Sequence, residues 1–453
     1  MTELNDTICA VATRGGGALG VVRVSGPDAI RLTDSIFRCA SKHPLASAQP
    51  YSLCYGQIID SDGTPADDVL VSVFRAPHSF TGQDSTEISC HGSAYILQKV
   101  CQLLIDAGCR QAEPGEYTQR AFMNGKMDLS QAEAVADLIA STSAASHRLA
   151  MNQMKGGFSR ELRTLRDQLL QFTSLIELEL DFSEEDVEFA DRSQLEQLAA
   201  QIDDIITRLA DSFSTGDAIR NGVPVAIIGQ TNTGKSTLLN QLLHDDRALV
   251  SDIQGTTRDS IEDTTTIGGV LFRFIDTAGI RQTTDTVESM GIERSYRKAR
   301  EAGIILWMTD EAHPADPETE KTISGLSQGK HLIRVHNKCD DAATLPAPTD
   351  TEVWISAKYG YGLEKLNELL VKAAAIPEIS QQDVIVTNMR HYESLIKAQD
   401  CIRRVRKGLT DRISGDFLSQ DIRQCIHHLS TITGDITTDE ILGNIFQHFC
   451  IGK

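Results

Sequence analysis

Two glycines, a lysine and a serine at fixed spacing, Gly229-x-x-x-x-Gly234-Lys235-Ser236, are the residues best suited to chemistry. Glycines let backbone N–H groups converge on phosphate oxygens, and a following helix turns its positive end the same way. Lys235 adds a point charge for β- and γ-phosphates, and Ser236 offers a hydroxyl to Mg²⁺. The flanks agree. Val225 to Ile228 is a short apolar run that reads as a buried parallel strand, and Thr237-Leu238-Leu239-Asn240 opens an amphipathic helix.

Three stretches follow in the order that a GTP hydrolase needs. Asp276-Thr277-Ala278-Gly279 closes the apolar run Val270 to Ile275. Its carboxylate suits a Mg²⁺ shell and the Gly279 amide a γ-phosphate. Asn337-Lys338-Cys339-Asp340 follows the run Leu332 to Val335. Asp340 can accept from guanine N1–H and the 2-amino group, donors that adenine lacks. At about 1.5–3 kcal/mol per charge-assisted bond, the pair gives about 10²–10⁴-fold preference for guanine. Ser356-Ala357-Lys358 then follows Val353 to Ile355, where a backbone N–H can read the guanine carbonyl.

Between these lies Gly255-Thr256-Thr257-Arg258-Asp259. Thr257 is the second hydroxyl for Mg²⁺ when this loop folds over the γ-phosphate, which makes it an order–disorder switch. After Gly279, many small GTPases carry a glutamine that orients the attacking water. Here the residue is Ile280, which orients nothing. Glu288, Arg258 or a cation must serve instead. The Asn232 carbonyl oxygen suits a monovalent cation, or equally caps its own turn. Glu288 on its own reads as a solvated surface charge.

The elements that must position these groups form a multidomain α/β and α chain. Its 453 residues suggest about three domains. Residues 1–126 are mixed α and β. Leu19 to Val24 and Val69 to Phe74 read as strands, and Ala94 to Ala107 as a helix with Ile96, Val100, Leu103 and Leu104 on one face. The polar stretch from Ser79 to Gly92 reads as a structured loop. Residues 127–218 are helical. Ser130 and Glu133 fit a capping box, and Leu162, Leu165, Leu169, Phe172 and Ile176 form a core face. The acidic run Glu177 to Glu188 reads as a solvated bend, and Leu195 to Leu209 resumes the helix. Residues 219–378 are the nucleotide domain, a parallel sheet with helices on both faces. Residues 379–453 are helical again, so a GTPase domain interrupts a helical one. The final helix starts at a second capping box, Thr437 and Glu440, stapled by Ile436 and Ile441. Ile441, Leu442, Ile445 and Phe449 share a face. The basic residues between Arg390 and Arg412 read as a solvated helix face or an RNA contact.

A net charge of −20 opposes indiscriminate nucleic-acid binding. Ten cysteines without a CxxC pair argue against a zinc knuckle. There is no signal peptide pattern and no run of 18 apolar residues, so no membrane span is expected. The thiols are expected to be reduced, in a cytoplasm. Cys450, beside Lys453, is either an accessible thiol of lowered pKa or an inert tail residue.

GTTRD at 255–259, DTAG at 276–279, NKCD at 337–340, the segments GVVRVSG and SFTGQDSTEISCHG, the run PGEYTQRAFMNGKMDLSQAEAVADLI from Pro114 to Ile139, and the ending FCIGK carry a resemblance. On them the chain resembles the MnmE (TrmE) family of tRNA-modification GTPases along essentially its full length. The resemblance implies a homodimer that forms a heterotetramer with the flavoprotein MnmG (GidA), whose subunit uses FAD and NADH. Together they add an aminomethyl or carboxymethylaminomethyl group at C5 of the wobble uridine of certain tRNAs. It implies an N-terminal α+β domain that dimerises and binds a folate, 5,10-methylenetetrahydrofolate or its 5-formyl analogue, through Arg23, Glu87, Lys126 and Lys453. It implies K⁺ on Asn232, Ser251, Ile253 and Thr256, in the role that an arginine finger has elsewhere, and Mg²⁺ on Ser236 and Thr257. Glu288, Lys235 and Cys450 become the catalytic residues. The GTP site becomes Asn232, Thr233, Gly234, Lys235, Ser236, Thr237, Ser251, Asp252, Ile253, Gly255, Thr256, Thr257, Asp276, Thr277, Ala278, Gly279, Asn337, Lys338, Asp340, Ser356, Ala357 and Lys358. Gln230, Thr231, Thr233 and Ser251 depart from common family residues without removing a chemical group. Two rivals are an RNA-binding ribosome-assembly GTPase and a scaffold that binds GTP without splitting it. No KH-like GxxG with basic neighbours supports the first, and intact Lys235, Ser236 and Asp276 oppose the second.

Overall fold

The structure is a computed structural model that describes residues 5–13, 15–181, 192–230, 232–244, 263–275, 297, 299–310, 317–341, 346–377, 383–447, 449 and 452. The chain divides into two compact units. One comprises Met1–Ala136, Gln153–Asp191 and Gly408–Lys453, the other Asp137–Asn152 and Arg192–Lys407. Among the described residues no helix is long and apolar enough to cross a membrane.

The first unit is built on a seven-stranded sheet in the order β3-β4-β5-β6-β2-β1-β7. The strands are β1 Ile8–Val11, β2 Leu19–Ser25, β3 Phe37–Cys39, β4 Ser52–Ile59, β5 Pro65–Phe74, β6 Ser85–His91 and β7 Arg110–Gln111. Side chains alternate faces along each strand. Val22 and Val24 of β2 point into the core, with Val69, Val71, Val73 and Ile88. The helix Ala94–Asp106 covers that face with Leu97, Val100, Leu103 and Leu104, while Ile96 packs only partly against it. The expected strands are therefore present. The stretch from Ser79 to Gly92 needs correction, because its second half is strand β6, paired on both sides with β5 and β2. Its inward row is Thr86, Ile88 and Cys90. One large apolar residue in three does not announce a strand.

Helices Gly157–Asp181 and Gly415–Thr433 also belong to this unit. Leu162, Leu165, Leu169, Phe172 and Ile176 are all buried, as their spacing predicts. Both helix caps are displaced from the expected residues. The helix Leu129–Ala140 is capped by Asp128, whose Oδ1 accepts from the Gln131 N–H at 3.0 Å. Gln131 Oε1 accepts from the Asp128 N–H at 3.0 Å, so the box lies two residues earlier than Ser130 and Glu133. Asp128 outcompetes serine there because a carboxylate is the stronger acceptor at a helix N-terminus. The helix Asp439–Phe446 is capped by Thr438, whose hydroxyl accepts from the Ile441 N–H at 3.3 Å. Thr438, and not Thr437, is thus the capping hydroxyl, the Glu440 side chain lies outside the described residues, and Ile436 is exposed. Leu442, Phe446 and Phe449 are buried with Leu129 and Ala132.

The second unit holds a six-stranded sheet, β13-β12-β11-β8-β10-β9. Here β8 is Val223–Gly229, β9 Asp263–Ile267, β10 Val270–Phe274, β11 Ile304–Thr309, β12 His331–His336 and β13 Glu352–Trp354. All pairs are parallel except β9–β10. The expected parallel sheet is therefore present, with β9 as an antiparallel strand at one edge. Only Gly268 and Gly269, both at positive φ, separate the two strands, and so short a turn allows only a hairpin. Strand β11 is buried at every position, with apolar clusters on both faces of the sheet. That is the layering of an α/β domain.

An ion network fastens the first unit's N-terminus. Fully buried Arg120 pairs with Glu116 at 2.8 Å and Asp6 at 2.5 Å, and Arg110 pairs with both carboxylates. Burial alone would raise the pKa of Asp6 and Glu116, but hydrogen bonds from Arg110 and Arg120 outweigh it, and both are held below their ordinary values. Depressed carboxylates contribute stability that is present above the unfolded pKa and is lost as pH falls through the folded one. The melting temperature should therefore fall as pH drops below 4.5, the ordinary glutamate value. Glu116→Gln should lower it at pH 7 and flatten that acid slope. Parallel melting profiles for parent and variant across pH would clear the network of this role.

Candidate functional site

The phosphate loop leaves β8 at Gly229 and ends at Gly234, both at positive φ. A Cβ on Gly229 would lie 2.5 Å from the Met308 carbonyl oxygen, and one on Gly234 would lie 2.2 Å from Asn337 Nδ2. No side chain fits either place. The helix Lys235–His244 starts directly after, held down by buried Leu238 and Leu239. Lys235 Nζ donates to the carbonyls of Gly229 at 2.9 Å and Gln230 at 2.6 Å, so its charge sits over the loop. Buried Thr233 donates its hydroxyl to Gln230 O at 2.9 Å. Asn232 is exposed at φ 65°, a turn conformation that asparagine tolerates. Ser236 is half-buried in the first helical turn and Thr237 is exposed.

The base-reading loops stand at the carboxyl ends of β12 and β13. Asn337 is buried. Its Nδ2 donates to the Thr233 carbonyl at 2.8 Å, and its Oδ1 accepts from the Ala357 N–H at 2.9 Å. Asp340 Oδ1 accepts from the Ser356 hydroxyl at 2.7 Å, which aims the carboxylate. Lys338, at φ 67°, pairs with buried Asp310 at 2.5 Å. The Ser356 N–H donates to Tyr361 O. Among the described residues, the Lys358 N–H alone of the three carries no hydrogen bond, so it is the amide left to meet a guanine carbonyl. Lys358 Nζ lies over the Tyr359 ring.

A second cluster lies on the outward face of the first unit's sheet. Arg23 and Glu87 are register partners across β2 and β6. Arg23 Nε and Nη2 donate to Glu87 Oε1 at 3.0 and 2.8 Å. The Arg23 guanidinium lies 5.7 Å from the Phe80 ring and 5.6 Å from that of Tyr117. The Tyr117 hydroxyl donates to the Arg23 carbonyl at 2.8 Å, and burial pushes its pKa well above the ordinary range, so it stays a donor. Arg23 Nη1 donates to the Gly452 carbonyl at 3.4 Å. Lys126 Nζ donates to Pro77 O at 2.8 Å, beside the loop that carries Phe80. The contributions of Tyr117, Phe80 and Gly452 escaped the sequence reading. No local pattern links Arg23 to a residue near the other end of the chain.

Ser251, Asp252, Ile253, Gly255, Thr256, Thr257, Arg258, Asp276, Thr277, Ala278, Gly279, Ile280, Glu288, Cys450 and Lys453 lie outside the described residues.

A phosphate loop braced to an Asn-Lys-Cys-Asp loop, at the carboxyl edge of a mainly parallel sheet, defines a P-loop GTPase. The family model for the GTP-binding protein TrmE N-terminus matches residues 7–126, and that for the MnmE helical domain matches residues 129–450. The tRNA modification GTPase MnmE of Bacteroides fragilis is 60% identical over 463 residues, covering 99% of each chain. That of Bacteroides thetaiotaomicron is also 60% identical with the same coverage. That of Parabacteroides distasonis is 57% identical over 99% of this chain and all of its own. A solved structure, a point variant of Aquifex aeolicus Era bound to GDP and aluminium fluoride, is 25% identical over 39% of this chain and 66% of that one. Its TM-score is 0.25. The chain belongs to the MnmE family of tRNA modification GTPases, and it is a GTP hydrolase.

Removing the Asn337 carboxamide deletes two buried hydrogen bonds at once and strands the Ala357 amide. Asn337→Ala should weaken GDP and GTP binding about 30–150-fold, from roughly 1–1.5 kcal/mol per bond. Fluorescent-nucleotide titration measures this, and an unchanged affinity would show that the two loops hold their spacing without Asn337.

Proposed function

We propose that this chain is a K⁺-dependent GTPase of the cytoplasm that works with a flavoprotein of the MnmG (GidA) kind. Together they add an aminomethyl or carboxymethylaminomethyl group at C5 of the wobble uridine of certain tRNAs. The observation that carries the reading is the Arg23–Glu87 pair with the Gly452 carbonyl on it. It supports a binding site shared by the N-terminal sheet and the FCIGK ending, apart from any nucleotide.

The residues fit a folate. Glu87 accepts from the donors of a pterin edge, Arg23 fixes Glu87, and Lys126 with Lys453 would meet the glutamate carboxylates. When bound, the folate supplies the carbon and the partner's FAD and NADH supply the redox step. Cys450 belongs to the same terminal segment and would act there. The outward face that bears Arg23 also carries Leu53 and Tyr55, 61% and 56% exposed, with partly exposed Leu70. A sheet face of that kind supports a homodimer through the N-terminal unit.

In the nucleotide unit, Lys235 would move from its loop carbonyls to the β- and γ-phosphates, and Asp340 would select guanine. Ser236 and Thr257 would hold Mg²⁺. Asn232 and the oxygens of Ser251, Ile253 and Thr256 would hold K⁺, whose charge would offset that developing on the phosphates. Asn232 is exposed in the phosphate loop and Ser236 half-buried in the turn after it, and both carry an oxygen of the kind these ions take. Glu288 would position the water that Ile280 cannot. Hydrolysis would release paired GTPase domains and reset the modification site.

Nucleoside analysis of bulk tRNA tests the whole. A strain lacking this chain should lose the modified wobble uridines and regain them with the chain restored. An unaltered nucleoside profile would remove the tRNA assignment. On the purified protein, replacing K⁺ with Na⁺ should lower GTP turnover by at least about ten-fold, since the cation stands in for a group worth more than that elsewhere. Equal turnover in the two salts would remove the cation.

A further inference from the structure

We infer that Phe80 is the aromatic wall of the site that holds the folate, stacking on its pterin ring; this rests on the folate reading above. Phe80 is 41% exposed, yet its loop is fixed at every side. Asn124 Nδ2 donates to the Thr81 carbonyl at 2.7 Å. The Thr81 and Ser25 hydroxyls meet at 2.7 Å in a buried contact. Arg120 Nη1 donates to Gln83 Oε1 at 3.2 Å. Lys126 Nζ holds Pro77 O at 2.8 Å. Gly82, at φ 77°, leaves only 3.1 Å between a Cβ and Asn124. The backbone around Phe80 is thereby bolted to the helix Glu116–Met123 and the turn after it, and the phenyl ring is left partly exposed.

A phenyl ring makes no hydrogen bonds, so a partly exposed ring with polar anchors on both sides acts by contact. Beside it lies the Arg23 guanidinium, 5.7 Å from the ring centre, and Arg23 in turn grips Glu87. A flat apolar face thus adjoins a carboxylate that accepts from ring amines, and Lys126 stands by the same loop for an anionic tail. A heteroaromatic ring with donors on its edge and carboxylates on its tail matches all three, and that is the chemistry of a folate. A nucleobase would use the wall and the carboxylate but leave Lys126 to a phosphate.

The test is titration of the full-length protein with 5-formyltetrahydrofolate by calorimetry. Phe80→Ala should weaken binding about ten-fold, the size of a lost aromatic stack. Phe80→Leu keeps apolar bulk and loses the ring, so it should bind about as weakly, while Phe80→Tyr should stay within about two-fold of the parent. Binding of p-aminobenzoylglutamate, a tail without a pterin, should not differ between parent and Phe80→Ala. If Phe80→Leu binds like the parent, bulk suffices and the stack is wrong. If Glu87→Ala abolishes folate binding while Phe80→Ala leaves it intact, the wall is wrong and the folate reading stands. If Glu87→Ala and Arg23→Ala both bind 5-formyltetrahydrofolate like the parent, the folate reading falls. A change in molar mass by light scattering on Phe80→Ala, with folate affinity unchanged, would make Phe80 a subunit contact and overturn the inference.

Discussion

The carboxamide of Asn337 fixes the geometry of the nucleotide unit. One of its ends bonds the phosphate loop at Thr233 O and the other the base loop at the Ala357 N–H. A buried amide with both ends satisfied behaves as a rigid spacer, because breaking either bond leaves a polar group without water or partner. Guanine and phosphates are parts of one ligand, so the loops that read them must keep one separation. The sheet supplies coarse alignment by ending β8, β12 and β13 on the same edge. Asn337 supplies the last ångström, and Gly234 is the condition for it, since any Cβ there would occupy the place of Nδ2.

The first unit uses the same kind of brace with different atoms. Arg23 carries the charge, but its backbone is held by Tyr117, its guanidinium by Glu87, and its flank by a loop that Arg120 and Asn124 hold in place. The end of the chain is fitted by shape. Gly452 sits at φ 91°, where a Cβ would lie 2.5 Å from the Val11 carbonyl oxygen. Gly115, at φ 69°, lies under Phe446, with 2.7 Å between a would-be Cβ and that residue's carbonyl. Glycine at these two places lets Gly452 lie against β1 and Phe446 lie against the start of the helix Glu116–Met123.

What the sequence disclosed follows from distance along the chain. The phosphate loop was legible because its glycines, lysine and serine are neighbours and their chemistry is local. The core faces of Ala94–Asp106 and Gly157–Asp181 were legible because helical periodicity is local too. Strand β6 was hidden, since Ser85, Glu87 and Ser89 face outward and a single isoleucine marks the core side. The caps slipped by one or two residues because serine, threonine and aspartate compete for the same role, and the winner depends on where the helix axis begins. The partners that aim Arg23 and Asn337 stand far off in sequence, and no spacing rule reaches them.

A chain of net charge −20 can still present a basic surface if its cations stand free. Several do not. Arg110 and Arg120 face Asp6 and Glu116, and Arg23 faces Glu87. In the stretch between Arg390 and Arg412, Arg403 and Arg406 both bond the buried carboxylate of Asp203 on the helix Arg192–Asp211. Asp203 thereby offsets one of these two positive charges from within their own unit. An RNA backbone gains affinity by displacing counterions from its phosphates with unpaired Lys and Arg, and arginines already neutralised by a carboxylate contribute little to that. The helix Met389–Thr410 is accordingly tied into its own unit through Arg403 and Arg406.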